Sequence, residues 1–274
     1  MTGDPGPGEP PAPPAPDPDW TRCWRCAKSI RRASPACAHC GAPRRRRSDA
    51  GDARAPDAGS PMTQVMVFFA LFLLTSLVFG TLTSFGMQDE TPTPASARRH
   101  LHLIVAIELI DAALVGAALV LARRSARWPR LVTFPPPLLW AGAVAGVVVL
   151  VGVNATYHEI LRRYLSLEPL RDAIVAATGI TPLVVLAYCV QPAIVEELFF
   201  RRLTLDTLRG VMPVHQAVFI SSLMFGMAHI GVPLSVPMLI LVGIPLAYAR
   251  VASGGIALPM LMHFLHNAII LALE

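Results

Sequence analysis

The chain carries acids, imidazoles and an amide inside stretches that are otherwise apolar. Glu196 and Glu197 are adjacent in the run PLVVLAYCVQPAIVEELFFRR, and Arg201 lies four residues after Glu197. A carboxylate at the centre of a bilayer costs about 2.5–3.5 kcal/mol on insertion scales, so an intramembrane acid pair is a functional hypothesis from the outset. Because an acid four residues before a base forms a favourable pair on one helix face, we expect Arg201 to hold Glu197 ionised. Glu196 lies on a neighbouring face and is the candidate base.

Two further pairs stand four residues apart in later apolar stretches, namely Phe225 with His229 and His263 with Asn267. On a helix this spacing lets the aromatic ring brace one imidazole, and it places the other imidazole beside an amide. An imidazole and an amide side by side can donate hydrogen bonds to a developing oxyanion. Together with a glutamate that activates water, these are the parts needed to hydrolyse an amide bond.

Each of these residues also has an ordinary structural interpretation. Glu197 and Arg201, taken alone, form a structural ion pair, and His266 is expected to bond a neighbouring backbone carbonyl. His215 is expected to be a solvated or capping residue at the start of a helix. The conjunction carries the functional hypothesis, because polar pairs at such spacing rarely arise together in lipid without a site.

The composition indicates a polytopic membrane protein. The 274 residues are 54% hydrophobic and 15% charged, and the mean hydropathy is +0.53. Soluble domains carry roughly 25% charged residues, so we predict an all-α bundle of transmembrane helices over 62–274. Seven apolar stretches approach the roughly 20 residues that span a bilayer; they lie at about 63–84, 101–122, 134–153, 176–200, 212–230, 234–251 and 255–273. The charged residues 155–172 predict a helix lying in the membrane interface.

Three segments are predicted before the bundle. Residues 1–20 are a Pro-rich, disordered tail, 21–42 a small zinc ribbon and 43–61 a flexible charged linker. Two CxxC pairs supply the thiolates of a closed, structural zinc site, and the ligands are Cys23, Cys26, Cys37 and Cys40. Two disulfides and a redox pair are the alternatives. Disulfides are disfavoured in the cytoplasm, and a redox CxxC normally comes once, beside a βαβ unit.

The basic residues predict an orientation. The formal net charge is +5, and in a membrane protein such charge orients the chain rather than binding nucleic acid. The arginines at 44–47, 123–130, 201–209 and 250 fall on one side if the N-terminus is cytoplasmic. Arg98 and Arg99 depart mildly from this pattern, and Arg162, Arg163 and Arg171 depart more. We expect an integral protein of a bacterial-type inner or plasma membrane with a cytoplasmic N-terminus and no nucleic-acid partner.

The three motifs EExxxR, FxxxH and HxxxN, in this order on successive apolar stretches, resemble those of the CPBP family of intramembrane proteases. That family includes the type II CAAX prenyl endopeptidases and bacteriocin-immunity or processing relatives, and the resemblance covers about 135–274. It implies that Glu196 and His229 activate the water and that His263 and Asn267 hold the oxyanion. Glu197, Arg201 and Phe225 would support the site. The implied partners are a membrane-associated or lipid-modified peptide or protein substrate and membrane lipid.

Two questions stay open at the level of the sequence. Glu196, His229 and His263 also suit a catalytic zinc with an open position, although HExxH is absent; we expect catalysis without a required metal. The competing functions are a non-enzymatic immunity or scaffold protein that recruits a protein partner through its ribbon, and a transporter with a proton relay. A transporter commonly shows inverted repeats, which this sequence lacks.

A seven-span arrangement also separates Glu196 from His229 in depth, since each lies near the opposite end of its own stretch. Three local departures would bring them together. The helix carrying Glu196 can run on past Arg201, the segment 203–214 can re-enter the membrane, or the stretch ending at His229 can stop beside a cavity.

Overall fold

A computed structural model describes residues 19–23, 28–31, 33, 34, 37, 60–86, 93–123, 135–165 and 170–273. The chain divides into two compact units, Met1–Ala53 and Arg54–Glu274. Each unit is described by itself. Most of the predicted tail and linker lie outside the described residues.

The first unit contains a short antiparallel hairpin. Strand β1 spans Trp20–Arg22 and strand β2 spans Ser29–Arg31, so the strand begins one residue inside the predicted tail. The backbone N–H of Cys23 donates to the carbonyl of Lys28 across the turn, at 2.8 Å. Cys23 and Cys37 are both buried. The other two predicted zinc ligands, Cys26 and Cys40, lie outside the described residues, and the zinc ribbon stays a prediction.

The described part of the second unit is built of helices joined by short turns. Its helices are α1 Pro61–Gly86, α2 Pro94–Arg123, α3 Pro137–Leu165, α4 Leu170–Thr178, α5 Pro182–Val211, α6 Val214–Met227, α7 Val236–Ser253 and α8 Ala257–Ala272. Helices α1, α2, α3 and α5 begin at a proline. Proline suits this position because its missing N–H would have no partner inside the helix.

Five of the described helices are long and apolar enough to cross a membrane, namely α1, α2, α3, α5 and α7. The integral membrane protein expected from composition is thereby supported. Helices α6 and α8 have 14 and 16 residues. At 1.5 Å per residue they reach only about 21 and 24 Å, less than the roughly 30 Å of the hydrocarbon core. Seven stretches were predicted as spans, and each overlaps one of these helices, but α6 and α8 are short.

Two predicted boundaries are wrong. Helix α3 continues through Leu165 rather than ending near 153, and a separate short helix, α4, follows it. The expected interfacial helix over 155–172 is therefore not a single element. The predicted stretch 176–200 corresponds to α5, which begins later and runs on to Val211. Hydropathy did not predict this extension of α5, because charged residues that pair inside the bundle look like loop residues in a hydropathy profile.

The arginines expected in loops after the fourth and sixth stretches lie inside helices. Arg201 and Arg202 belong to α5 and are buried, and Arg250 belongs to α7. Asp206 of α5 accepts a hydrogen bond from Arg250 at 2.6 Å and lies 3.5 Å from Arg202. The Arg250–Asp206 pair joins α7 to α5, whereas Arg201 and Arg202 pair with acids of α5 itself. These buried cations contribute to packing and are weaker orientation signals than loop arginines.

Helix α5 changes its winding twice. Its segments Leu186–Val190 and Glu197–Leu205 have the wider turns of a π-helix. Such turns are rare, insert an extra residue and occur often at functional sites. The hydroxyl of Ser221 on α6 donates to the carbonyl of Phe200 in the second segment, at 2.8 Å. The irregular part of α5 is therefore bonded to its neighbour about one turn after the acid pair.

A close contact between backbones fixes the chain after α6. Gly231 donates its N–H to the hydroxyl of Ser76 on α1, at 2.9 Å. A Cβ at Gly231 would overlap the Ser76 carbonyl, and a Cβ at Gly80 would lie 2.5 Å from the Gly231 carbonyl oxygen. Only glycine allows this approach. The turn that follows His229 is thus held directly against α1.

Candidate active site

A cavity of about 350 Å³ lies inside the second unit and is lined by residues from most of its helices. This volume is within the usual range of ligand pockets, about 300–1,000 Å³. Its polar lining includes residues of several helices: Glu108, Asp111, Asn154, Glu196, His229 and His263. Apolar side chains such as Phe72, Phe79 and Ile104 line it as well. The cavity therefore combines an apolar wall with convergent polar groups.

Glu196 stands between two imidazoles in this cavity. Its Oε1 lies 3.5 Å from Nε2 of His229, and its Oε2 lies 3.9 Å from Nε2 of His263. Three residues from three helices or their ends, far apart in sequence, thus meet at one carboxylate. The depth separation of a seven-span arrangement is removed in two ways at once: α5 continues past Arg201, and α6 stops at Met227.

The end of α6 orients His229. The backbone N–H of His229 bonds the carbonyl of Gly226 at 3.0 Å, so the helix tightens here. The carbonyl of Phe225, which an α-helix would pair with that N–H, instead accepts the Nδ1–H of the His229 ring at 3.0 Å. A neutral imidazole that donates at Nδ1 has its lone pair at Nε2. That lone pair is on the nitrogen nearest Glu196.

Glu197 has two partners. Its Oε2 lies 3.1 Å from Nε of Arg201, and its Oε1 accepts from Nδ1 of His263 at 3.1 Å. The predicted pair of Glu197 and Arg201 is present and fully buried. The guanidinium carbon of Arg201 also lies 4.6 Å from the centre of the Phe225 ring, within range of a cation–π contact. Glu197 therefore couples the structural cation to an imidazole of the cavity.

Phe225 braces both imidazoles. Its ring contacts that of His229 edge-on, with centroids 5.4 Å apart, and that of His263, with centroids 5.8 Å apart. The sequence predicted the first contact from the spacing of four residues. The second joins different helices and had no sequence signal.

Asn267 lines the same cavity, and its hydrogen bonds define its orientation. Its Nδ2 donates to the carbonyl of Tyr188 at 2.9 Å, and its Oδ1 faces Nδ1 of His266 at 3.1 Å. His266 was expected to be satisfied by a backbone carbonyl. It instead bonds two side chains, since its Nε2 lies 3.2 Å from Nδ2 of Asn154.

The sequence reasoning missed the acids of α2 and the amide of α3. Glu108 and Asp111 line the cavity, and Asp111 accepts from the hydroxyl of Thr75 at 3.1 Å. Asn154 lines it too and is buried. The signal was available for the acids, because both stand inside an apolar stretch, IVAIELIDAALV. Nothing in the sequence pointed to Asn154 beyond its polarity.

The arrangement of the side chains bears on whether the cavity could bind a catalytic metal. Within the residues that the structure describes, no group of three or more His, Cys, Asp or Glu side chains has the arrangement of a metal site. Glu196, His229 and His263 are the residues of the cavity that would hold a metal, through one carboxylate and two Nε2 atoms.

The fold and this cavity define a polytopic membrane protein that encloses a carboxylate–imidazole cluster. The family model of the Rce1-like type II CAAX prenyl endopeptidases matches residues 178–269, which contain all three motifs. The predicted resemblance is confirmed for this segment, and the chain accordingly carries a protease domain of this kind. No curated protein and no solved structure gives a significant match to the chain.

Proposed function

We propose that the chain is an intramembrane endopeptidase in which Glu196 activates a water molecule. The observation that carries this proposal is the meeting of one carboxylate with the Nε2 atoms of His229 and His263, at 3.5 and 3.9 Å. With His229 donating at Nδ1, Glu196 and the Nε2 lone pair are both acceptors. Two acceptors so close need a shared donor, and a water molecule supplies two O–H groups.

The reaction follows from these roles. As the water oxygen attacks the peptide carbonyl carbon, Glu196 takes its proton, and the new C–O bond places negative charge on the carbonyl oxygen. Glu196 then passes the proton to the peptide nitrogen, the C–N bond breaks, and a carboxylic acid and an amine leave. His229 holds the water through its Nε2 lone pair.

His263 and Asn267 donate hydrogen bonds to the oxyanion. His263 already donates at Nδ1 to Glu197, so it can donate a second hydrogen bond at Nε2 only as an imidazolium. In that form His263 offsets one of the two adjacent carboxylates, Glu196 and Glu197, and Arg201 offsets the other. Charge balance matters in a buried site, since an unpaired ion there is strongly destabilising.

The substrate class is a membrane-associated or lipid-modified peptide or protein. The matched family model is described as a type II CAAX prenyl endopeptidase, which makes a prenylated CAAX peptide the first reporter to test. The apolar wall around Phe72 and Phe79 suits a lipid group, while the polar side holds the scissile bond.

We expect Glu196→Gln to abolish cleavage while leaving folding and membrane insertion intact. A missing general base lowers the rate by about 10²–10⁴-fold. The measurement is cleavage of a farnesylated CAAX reporter peptide by the purified full-length protein in detergent. Comparison of membrane proteomes carrying wild type or E196Q would then reveal natural substrates that accumulate uncleaved.

The matched control is Glu159→Gln, because Glu159 is exposed and pairs only locally with Arg162 and Arg163. It should cleave like wild type. Full activity in Glu196→Gln would overturn the mechanism. Loss of function in Cys23→Ser with retention in Glu196→Gln would favour the scaffold alternative.

We propose further that the four cysteines 23, 26, 37 and 40 hold one structural zinc and that cleavage needs no metal. The hairpin turn and the burial of Cys23 and Cys37 fit a zinc ribbon, and such small units draw folding energy from their metal. Purified protein should contain one zinc per chain, and Cys23→Ser should lose it. Protein lacking residues 1–60 should keep its activity in chelator; activity lost there and restored by Zn²⁺ would contradict metal-free catalysis.

A further inference from the structure

Four groups in the lining of the cavity form a continuous line of hydrogen bonds. Asn267 Nδ2 lies 2.9 Å from the Tyr188 carbonyl, Asn267 Oδ1 lies 3.1 Å from His266 Nδ1, and His266 Nε2 lies 3.2 Å from Asn154 Nδ2. Asn154 and His266 are both buried. The line joins α3, α5 and α8.

The donor and the acceptor of every hydrogen bond in this line follow from the bond to the Tyr188 carbonyl. A backbone carbonyl only accepts, so the Asn267 atom beside Tyr188 must be the amide nitrogen. The Asn267 oxygen therefore faces His266 and requires a donor, which places the ring proton on Nδ1. The lone pair of His266 is then at Nε2, and it accepts from the amide nitrogen of Asn154.

The carbonyl of Tyr188 cannot make the usual α-helical hydrogen bond because of the residue four positions later. Pro192 has no N–H, so the usual α-helical partner of the Tyr188 carbonyl is missing. The chain winds as a π-helix immediately before it, over Leu186–Val190. A local feature of α5 thus supplies the fixed acceptor that orients an amide on α8.

We propose that Asn154 and His266 are positioning residues that hold the Asn267 amide with one N–H free for the oxyanion. The amide nitrogen has two hydrogens; Tyr188 takes one, and the oxygen is occupied by His266, so the amide cannot rotate to present its oxygen instead. This proposal rests on the proposed function, because it assigns a purpose to the orientation of Asn267. Neither positioning residue belongs to the three motifs.

The first test measures the ring proton directly. Full-length protein labelled with [¹⁵N]histidine is examined by long-range ¹⁵N–¹H correlation in detergent, and the His266 signal is identified by its loss in His266→Asn. We expect the Nδ1–H tautomer in wild type. Asn154→Asp, which replaces the donor with a carboxylate acceptor, should shift the ring to the Nε2–H tautomer. An Nε2–H ring in wild type would overturn the proposal.

The second test compares matched variants in cleavage of the farnesylated CAAX reporter. Asn154→Asp should lower kcat by about 100-fold with KM unchanged, as expected when a transition-state donor is misdirected. Asn154→Leu has a similar size and forces no tautomer, so its loss should be much smaller. Equal losses in the two variants would show that Asn154 only packs, and the proposal would be wrong.

His266 has its own pair of variants. Asn at 266 can place an amide N–H near the position of Nδ1, whereas Gln places its amide near the position of Nε2. We therefore expect His266→Asn to keep more kcat than His266→Gln, and the reverse order would contradict the proposal. The proposed function and this positioning role can be refuted independently. Full activity of Glu196→Gln would contradict the proposed function, whereas it would not change the measured tautomer of His266.

Discussion

Glu197 is held by two partners in the interior of the protein. It is fully buried and shares its two oxygens between Arg201 at 3.1 Å and His263 at 3.1 Å. The two terminal nitrogens of Arg201 have no hydrogen-bond partner among the described residues, but the guanidinium lies over the Phe225 ring. The stability of the pair therefore depends chiefly on the carboxylate and the ring.

Arg201→Met should destabilise the protein by about 3–5 kcal/mol, because it leaves the Glu197 carboxylate buried without its cation. The double variant Glu197→Gln with Arg201→Met should recover part of this loss, since neither charge remains. The measurement is unfolding of purified protein in detergent micelles. Arg163→Met, at an exposed pair with Glu159, is the control and should unfold like wild type. A double variant no more stable than Arg201→Met would contradict the account.

At the scale of elements, the site depends on where helices are interrupted. Helix α6 stops after 14 residues, and the chain turns back through residues 228–231 before the short helical turn Pro233–Ser235. A longer α6 would carry His229 away from Glu196. Gly231 anchors this turn to Ser76, so the position of His229 is set by contact with α1 as well as by α6.

Gly231→Ala should lower kcat by about 100-fold, because its Cβ would overlap the Ser76 carbonyl and displace the turn that carries His229. The measurement is cleavage of the reporter peptide, with circular dichroism to confirm that the helices remain. The matched control is Gly116→Ala on α2, where an added Cβ meets nothing within 4 Å. Unchanged cleavage by Gly231→Ala would mean that the turn adapts without moving the imidazole.

At the scale of the whole molecule, fewer arginines indicate the orientation in the membrane than the sequence suggested. Arg201 and Arg250 are buried, so the signal depends more on the arginines at 44–47 and on those between α2 and α3. Juxtamembrane arginines near the start of the bundle favour the cytoplasmic side. We therefore keep a cytoplasmic N-terminus as a prediction.

Trypsin provides the test, because the run Arg44–Arg47 is a ready cleavage site before the first transmembrane helix. Inside-out membrane vesicles should lose the N-terminal region on digestion, whereas spheroplasts should protect it. A tag ahead of Met1, followed by immunoblotting, reports the result. Cleavage in spheroplasts and protection in inside-out vesicles would place the N-terminus on the outer side.

Much of the site could be predicted from local spacing. The pairs Glu197 with Arg201 and Phe225 with His229 are close in sequence, and a helix brings such residues together whatever the rest of the chain does. The structure confirms both contacts. The prediction that His263 and Asn267 act together stays a prediction, because the hydrogen bonds of Asn267 run to Tyr188 and His266.

The amino-acid sequence by itself determined the membrane class, the apolar stretches and the three polar motifs, because these follow from composition and from periodicity within one helix. Only the tertiary structure decided that Glu196 meets His229 and His263, that α5 runs on to Val211, and that Glu108, Asp111 and Asn154 line the same cavity. The physical reason is that these contacts join helices distant in the chain. Their geometry depends on how the helices pack, which the π-turns of α5, the short helix α6 and the glycine contact together determine. A local sequence pattern does not predict that combined effect.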